Sequence, residues 1–102
     1  MRYTITVTSL ATITTEYNLN FLKLFNSEYS VKVANNILSE IKSLSNFPHS
    51  YPLYKRINKN IYRKILINNI FHVIFTISNN KVFVLYTTDA RKEADEYYSF
   101  LN

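Results

Sequence analysis

Apolar and polar side chains alternate at the start of the chain, where Tyr3, Ile5 and Val7 interleave with Thr4, Thr6 and Thr8. That period of two predicts a half-buried strand. Leu10, Ile13, Tyr17, Phe21 and Leu24 then fall on one helical stripe behind a Thr8 or Ser9 cap. After a break near Asn26-Ser27, Ala34, Ile37, Leu38, Ile41 and Leu44 recur at three and four, a strongly amphipathic helix from Glu28 that must stop before Phe47-Pro48. Two helices with a short joint make an αα-hairpin. "PHSYPLYKRINKN" reads as a polar, proline-marked loop, after which "IYRKILI", "IFHVIFTIS" and "KVFVLYTT" read as three antiparallel strands turned at Asn68-Asn69 and Asn79-Asn80. "ARKEADEYYSFL" reads as a C-terminal helix with Asp89 near its cap. The order predicts a single α+β domain over residues 1–102, β-α-α-β-β-β-α, with an antiparallel sheet packed on the helical hairpin. Where the first strand joins the sheet is left open.

Two-residue turns would oppose Ile65 to His72, Arg63 to Ile74, Ser78 to Lys81, Ile74 to Leu85 and His72 to Thr87. One face would then carry Leu66, Phe71, Val73, Phe75, Ile77, Val82, Val84 and Tyr86 against the helices. The other would carry Arg63, Ile65, Ile67, Ile70, His72, Ile74, Thr76, Phe83, Leu85 and Thr87, continuing to Asp89 and Arg91. Arg63, His72 and Arg91 would therefore converge, flanked by Lys55, Arg56 and Lys59. Singly, each of the three reads as an ordinary sheet residue or a solvated edge charge; their meeting is what suggests a site. The apolar remainder of that face needs a cover, whether a protein partner, a second subunit or the C-terminal helix.

Composition changes this picture in two ways. Hydrophobic residues at 47% and the absence of cysteine describe a globular chain without disulfides or thiolate metal sites. Two histidines without clustered carboxylates argue against other metal centres. No apolar run is long enough to span a bilayer and no signal-peptide pattern opens the chain, so the cytoplasm is expected. Charge is asymmetric: residues 1–88 hold ten basic and three acidic side chains, a net +7, while residues 89–102 hold two and four, a net −2. No acid lies between Ile41 and Thr88, where Lys42, Lys55, Arg56, Lys59, Arg63, Lys64 and Lys81 stand. Such a body attracts polyanions, nucleic acid being the commonest, and Lys55, Arg56, Lys59, Arg63 and Lys64 are the candidate contacts.

The order of elements, with "LSNFPHSYPLY", "YRKILINNIFHVIF" and "KVFVLYTTDARKE", resembles the RelE/ParE superfamily of toxins from type II toxin–antitoxin systems. The resemblance spans essentially the whole chain. It implies a small basic protein that halts growth and is neutralised by a cognate antitoxin. RelE-like members are ribosome-dependent mRNA endonucleases that inhibit translation; ParE-like members inhibit DNA gyrase without hydrolysis. By that likeness Arg63 stands where RelE-like toxins carry the first of two strand lysines and Ile65 departs from the second. His72 takes the place of a catalytic arginine, Arg91 or Lys92 matches the basic residue after the last strand, and Tyr98 the C-terminal tyrosine. "FPHSYPLY" looks closer to the ParE side.

RNA cleavage by its own 2′-hydroxyl needs a base, cations for the phosphorane and an acid for the leaving oxygen. His72 suits the base, having an ordinary pKa near ~6.5. Arg63 and Arg91 suit the phosphate, with Lys92 in reserve, and Tyr98 suits base stacking or orientation of the hydroxyl. No metal or cofactor is required. The leading expectation is an mRNA interferase working on the ribosome, the alternative a gyrase inhibitor.

Overall fold

The computed structural model describes residues 2–91. Strand β1 (Thr4–Val7) leads to helices α1 (Ser9–Lys23) and α2 (Ser27–Ser43), a 3-10 turn (Pro48–Ser50), and strands β2 (Leu53–Ile57), β3 (Asn60–Ile67), β4 (Phe71–Ser78) and β5 (Lys81–Asp89). Each helix starts at a residue that can accept from its first turn: Thr8 Oγ1 takes the Ala11 amide and Asn26 Oδ1 the Tyr29 amide. The sheet runs β1-β5-β4-β3-β2. β1 lies parallel to β5 and every other neighbour is antiparallel, so the sheet is mixed.

The segment read as a loop contains a strand. Pro52 stands just before β2, and Lys55 and Arg56 lie within it, which suits an edge strand that must discourage further pairing. A third asparagine turn joins it to β3, with Asn58 at φ 56°. The expected C-terminal helix lies outside the described residues.

The β3–β4 turn holds three residues rather than two. Asn68 and Asn69 sit at φ 51° and 59°, and the Ile70 amide donates to the Ile67 carbonyl at 3.0 Å. Ile67 therefore pairs with Phe71, Ile65 with Val73, Leu66 with His72 and Arg63 with Phe75. A shift of one exchanges the faces of β3. Ile65 and Ile67, expected on the open side, are each 2% exposed in a core that includes Val33 and Ile37 of α2. Leu66, expected beneath the helices, is 53% exposed. Burying two isoleucines in place of one leucine is worth about 1.5–3 kcal/mol, and it also spares the Lys64 ammonium from desolvation.

The β4–β5 turn has the expected two residues, with Ser78 opposite Lys81. Farther along, a bulge intervenes: Phe75 pairs with Val84 but Ile74 with Tyr86, leaving Leu85 as the extra residue. Every position beyond it changes side. Tyr86, expected under the helices, joins Tyr62 and Ile74 in a second cluster on the opposite face; Thr87, expected on that face, meets the helices instead. His72 opposes Thr88 rather than Thr87, and Asp89 opposes Phe71. The remaining helix-side assignments, Phe71, Val73, Phe75, Ile77, Val82 and Val84, belong to the main core or pack against it.

Thr87 explains an inversion in α1. An amphipathic helix ordinarily turns its apolar stripe inward. Here Ile13, Tyr17, Phe21 and Leu24 are 62%, 69%, 57% and 79% exposed, while Leu10, the first residue of the expected stripe, is half-buried against the Tyr62–Ile74–Tyr86 cluster. The inner side carries Ala11, Thr14, Thr15 and Asn18, with Leu19 and Leu22 packed on the main core. The Thr87 amide donates to Thr14 Oγ1 at 2.9 Å, Thr15 and Thr87 hydroxyls meet at 2.7 Å, and Asn18 Nδ2 donates to the Thr87 carbonyl at 3.1 Å. Thr8 Oγ1 bonds the bulge carbonyls of Val84 and Leu85 at 2.9 and 3.1 Å. The bulge brings a polar strand segment to the helix, and the helix answers with hydroxyls and an amide.

Thr14→Val strands the buried Thr87 amide and is expected to lower unfolding free energy in urea by about 1–3 kcal/mol. Val31→Ala, at an exposed position of α2, is expected to change it by less than about 0.5 kcal/mol. Equal effects from the two would contradict the seam.

Candidate functional site

On the sheet face away from the helices, strand pairing gathers Tyr62 and Lys64 of β3, His72 and Ile74 of β4, and Tyr86 and Thr88 of β5. Lys55 of β2 pairs with Tyr62 and shares the face. Tyr54, at the irregularity between Leu53 and Lys55, packs into the same apolar cluster. Its ring lies 6.3 Å from that of His72, tilted by 59°, and Lys64 Nζ lies 6.0 Å from the Tyr54 centroid. Lys64 thus stands beside an aromatic face in position for a modest cation–π attraction.

His72 is half-buried, and its imidazole is held below the ordinary pKa of 6.5, first by desolvation and second by the nearby Lys64 ammonium. At neutral pH it is uncharged, able to accept a proton at one ring nitrogen and donate from the other. Thr88 is 3% exposed, and its Oγ1 has no hydrogen-bond partner among the described residues. The face therefore offers a neutral imidazole, two lysines and a buried hydroxyl over a floor of tyrosine and isoleucine.

The arginines expected beside His72 are elsewhere. Arg63 pairs with Phe75 on the helix side, where its Nη1 donates to the Tyr51 carbonyl at 2.7 Å. Tyr51 in turn donates to Glu40 Oε2 at 2.6 Å, lies 3.1 Å from Ser43 Oγ and packs edge-on to Phe75. Burial and the Glu40 carboxylate hold the Tyr51 phenol above its ordinary value. This chain of contacts fixes the 47–52 segment to α2 and β3. Arg91 sits past β5, on the helix side, and grips Asp89 in a two-pronged pair at 2.9 and 2.7 Å. That contact raises the guanidinium pKa further. Both residues line a groove of about 440 Å³ with Tyr17, Phe21, Phe25, Ile70 and Phe71.

The expected convergence of Arg63, His72 and Arg91 does not form. The one-residue change at Asn68–Ile70 turns Arg63 away and the Leu85 bulge turns Arg91 away. Lys92 and Tyr98 lie outside the described residues. Of the candidate nucleic-acid contacts, Lys55 and Lys64 share the His72 face, Lys59 is exposed in the β2–β3 turn, and Arg56, opposite Ile61, falls with Arg63 on the other side. Sequence reasoning missed Tyr54 and Thr88 as neighbours of His72. The asparagine at Asn58 carries the same turn signal as the other two and was the available pointer to β2; nothing local marks the bulge that brings in Thr88.

No helix among the described residues is long and apolar enough to cross a membrane. No family model and no curated protein matches the chain. A solved structure from P. aeruginosa, described as a chromosomal ParDE TA system, does: the likeness covers 86% of this chain and 96% of that one, with a TM-score of 0.71 and 12% sequence identity. It is a likeness of fold. Two helices on a five-stranded mixed sheet are consistent with the RelE/ParE-like α+β architecture expected from the sequence.

Because the native state holds His72 below the unfolded value, the unfolded chain binds more protons between the two pKa values. Its contribution to stability is complete above ~6.5 and declines as the pH falls below that. Ring-proton NMR is expected to show His72 titrating below 6.5, and Lys64→Ala is expected to move it partway back up. An unmoved titration in Lys64→Ala would remove the lysine from the site.

Proposed function

We propose that this chain is the toxin of a type II toxin–antitoxin pair, neutralised by a cognate antitoxin protein. The observation that carries the proposal is the likeness of fold to a chain of a ParDE system, over 86% of this chain and 96% of that one. The charge supports it as well. Residues 1–88 bear a net +7, which favours fast capture by an acidic partner.

Of the two activities implied by the resemblance, the geometry favours the ParE-like one, inhibition of DNA gyrase by binding. A phosphorane needs fixed cations where its charge develops. Arg63 is engaged with a backbone carbonyl and Arg91 with Asp89, both away from His72. The exposed Leu66 with half-buried Tyr54 and His72, edged by Lys55 and Lys64, suits a binding face for a protein target.

A second reading, RelE-like cleavage of ribosome-bound mRNA, is favoured by one observation: His72 is neutral near pH 7 and lies close to Lys64. In that reading His72 takes the proton of the attacking 2′-hydroxyl, the 2′-oxygen bonds to phosphorus as the bond to the 5′-oxygen breaks, water protonates the departing oxygen, and Lys64 or Lys55 balances phosphate charge, without a metal.

Expression of the chain is expected to arrest growth, and the purified protein is expected to block supercoiling by gyrase in the absence of ribosomes. Primer extension on mRNA translated in a cell-free system is expected to show no new 5′ ends. New ends, lost on His72→Ala, would establish the nuclease reading instead. Harmless expression with neither effect would overturn the toxin assignment.

A further inference from the structure

The stripe that the bulge turns outward on α1 has no cover among the described residues. Ile13, Tyr17, Phe21 and Leu24 are spaced four, four and three apart, and each is more than half exposed. At 1.5 Å per residue they make a ridge about 16 Å long, continuous along one side of the helix. Apolar surface of this kind on a small protein marks a contact with another molecule.

The charges beside the ridge indicate which molecule. Glu16 and Lys23 are both exposed and stand seven residues apart, two turns, on one flank. Neither has an ion-pair partner among the described residues. If a second α1 lies antiparallel across the first, about a two-fold axis near the helix midpoint, Ile13 faces Leu24 of the second copy and Tyr17 faces Phe21. In the same register Glu16 faces Lys23 of the second copy, and the symmetry makes this pair twice. A parallel two-fold would carry the two flanks to opposite sides of the seam, where neither Glu16 nor Lys23 meets the other's counterpart. The ridge is thus self-complementary in shape and charge in one orientation only.

We propose that two copies of this chain associate through α1 in an antiparallel, two-fold pair, with the Ile13–Tyr17–Phe21–Leu24 ridges interlocked and Glu16–Lys23 pairs at both ends. The pairing is independent of the toxin reading, because it uses neither the His72 face nor an antitoxin. An apolar segment of another protein laid on the same ridge is the competing occupant, and it makes no demand that Glu16 and Lys23 complement each other.

Sedimentation equilibrium of the full chain distinguishes them. The expected mass is twice 12.1 kDa at concentrations that leave Phe21→Glu at a single chain mass, with the circular-dichroism melt showing that the variant is folded. Glu16→Lys alone and Lys23→Glu alone are each expected to weaken the dimer roughly tenfold, since each sets like charges together twice. The double variant Glu16→Lys/Lys23→Glu is expected to restore it. A wild-type chain that stays monomeric up to about 1 mM overturns the proposal and leaves the ridge to another protein. A dimer whose double variant is as weak as the single ones overturns the antiparallel pairing.

Discussion

Burial of Ile65 and Ile67 in the cluster that holds Val33 and Ile37 of α2 is the constraint on which the arrangement of charged groups depends. β3 contains two competing alternations, Ile61-Arg63-Ile65-Ile67 and Tyr62-Lys64-Leu66, and only one can face the helices. The first carries more apolar surface and ends in two β-branched residues, so it goes inward. Arg63 is carried in with it, to the rim, where the Tyr51 carbonyl receives its guanidinium. Lys64 is correspondingly turned out toward His72. A choice made by hydrophobic packing thereby decides which cation a substrate or partner meets.

The Leu85 bulge performs a second exchange on the opposite side of β4. Before it, β5 supplies Val82 and Val84 to the helix side; after it, β5 supplies Thr87 to the helices and Tyr86 to the other face. The threonine has a fully buried amide and carbonyl that must be paired, and α1 pairs them with Thr14 and Asn18. With those residues inward, the apolar stripe on the other side of the same helix is forced into solvent. The bulge in the sheet and the exposed ridge on the helix are two ends of one cause.

Much of the architecture was legible from periodicity. The first strand, the break near Asn26, the amphipathic second helix and the apolar side of β4 follow from local pattern because each has one dominant period. What was not legible is what local pattern leaves degenerate. Two adjacent asparagines serve a two- or a three-residue turn equally well, and Asn79-Asn80 and Asn68-Asn69 make different choices. β2 was hidden by prolines and cations, which edge strands tolerate. The sidedness of α1 was hidden because its polar stripe has meaning only opposite Thr87, far away in the sequence. Since the candidate site lies across three strands, two single-residue shifts were enough to replace an Arg63–His72–Arg91 centre with a Lys64–His72–Tyr54 neighbourhood.

The pairing of β3 with β4 sets which cation lies beside His72, and cross-strand nuclear Overhauser effects between backbone protons report it residue by residue. Contacts linking Leu66 with His72 and Ile65 with Val73 are the predicted result. Contacts linking Ile65 with His72 and Arg63 with Ile74 would contradict it, and would return Arg63 to the side of the sheet that His72 occupies.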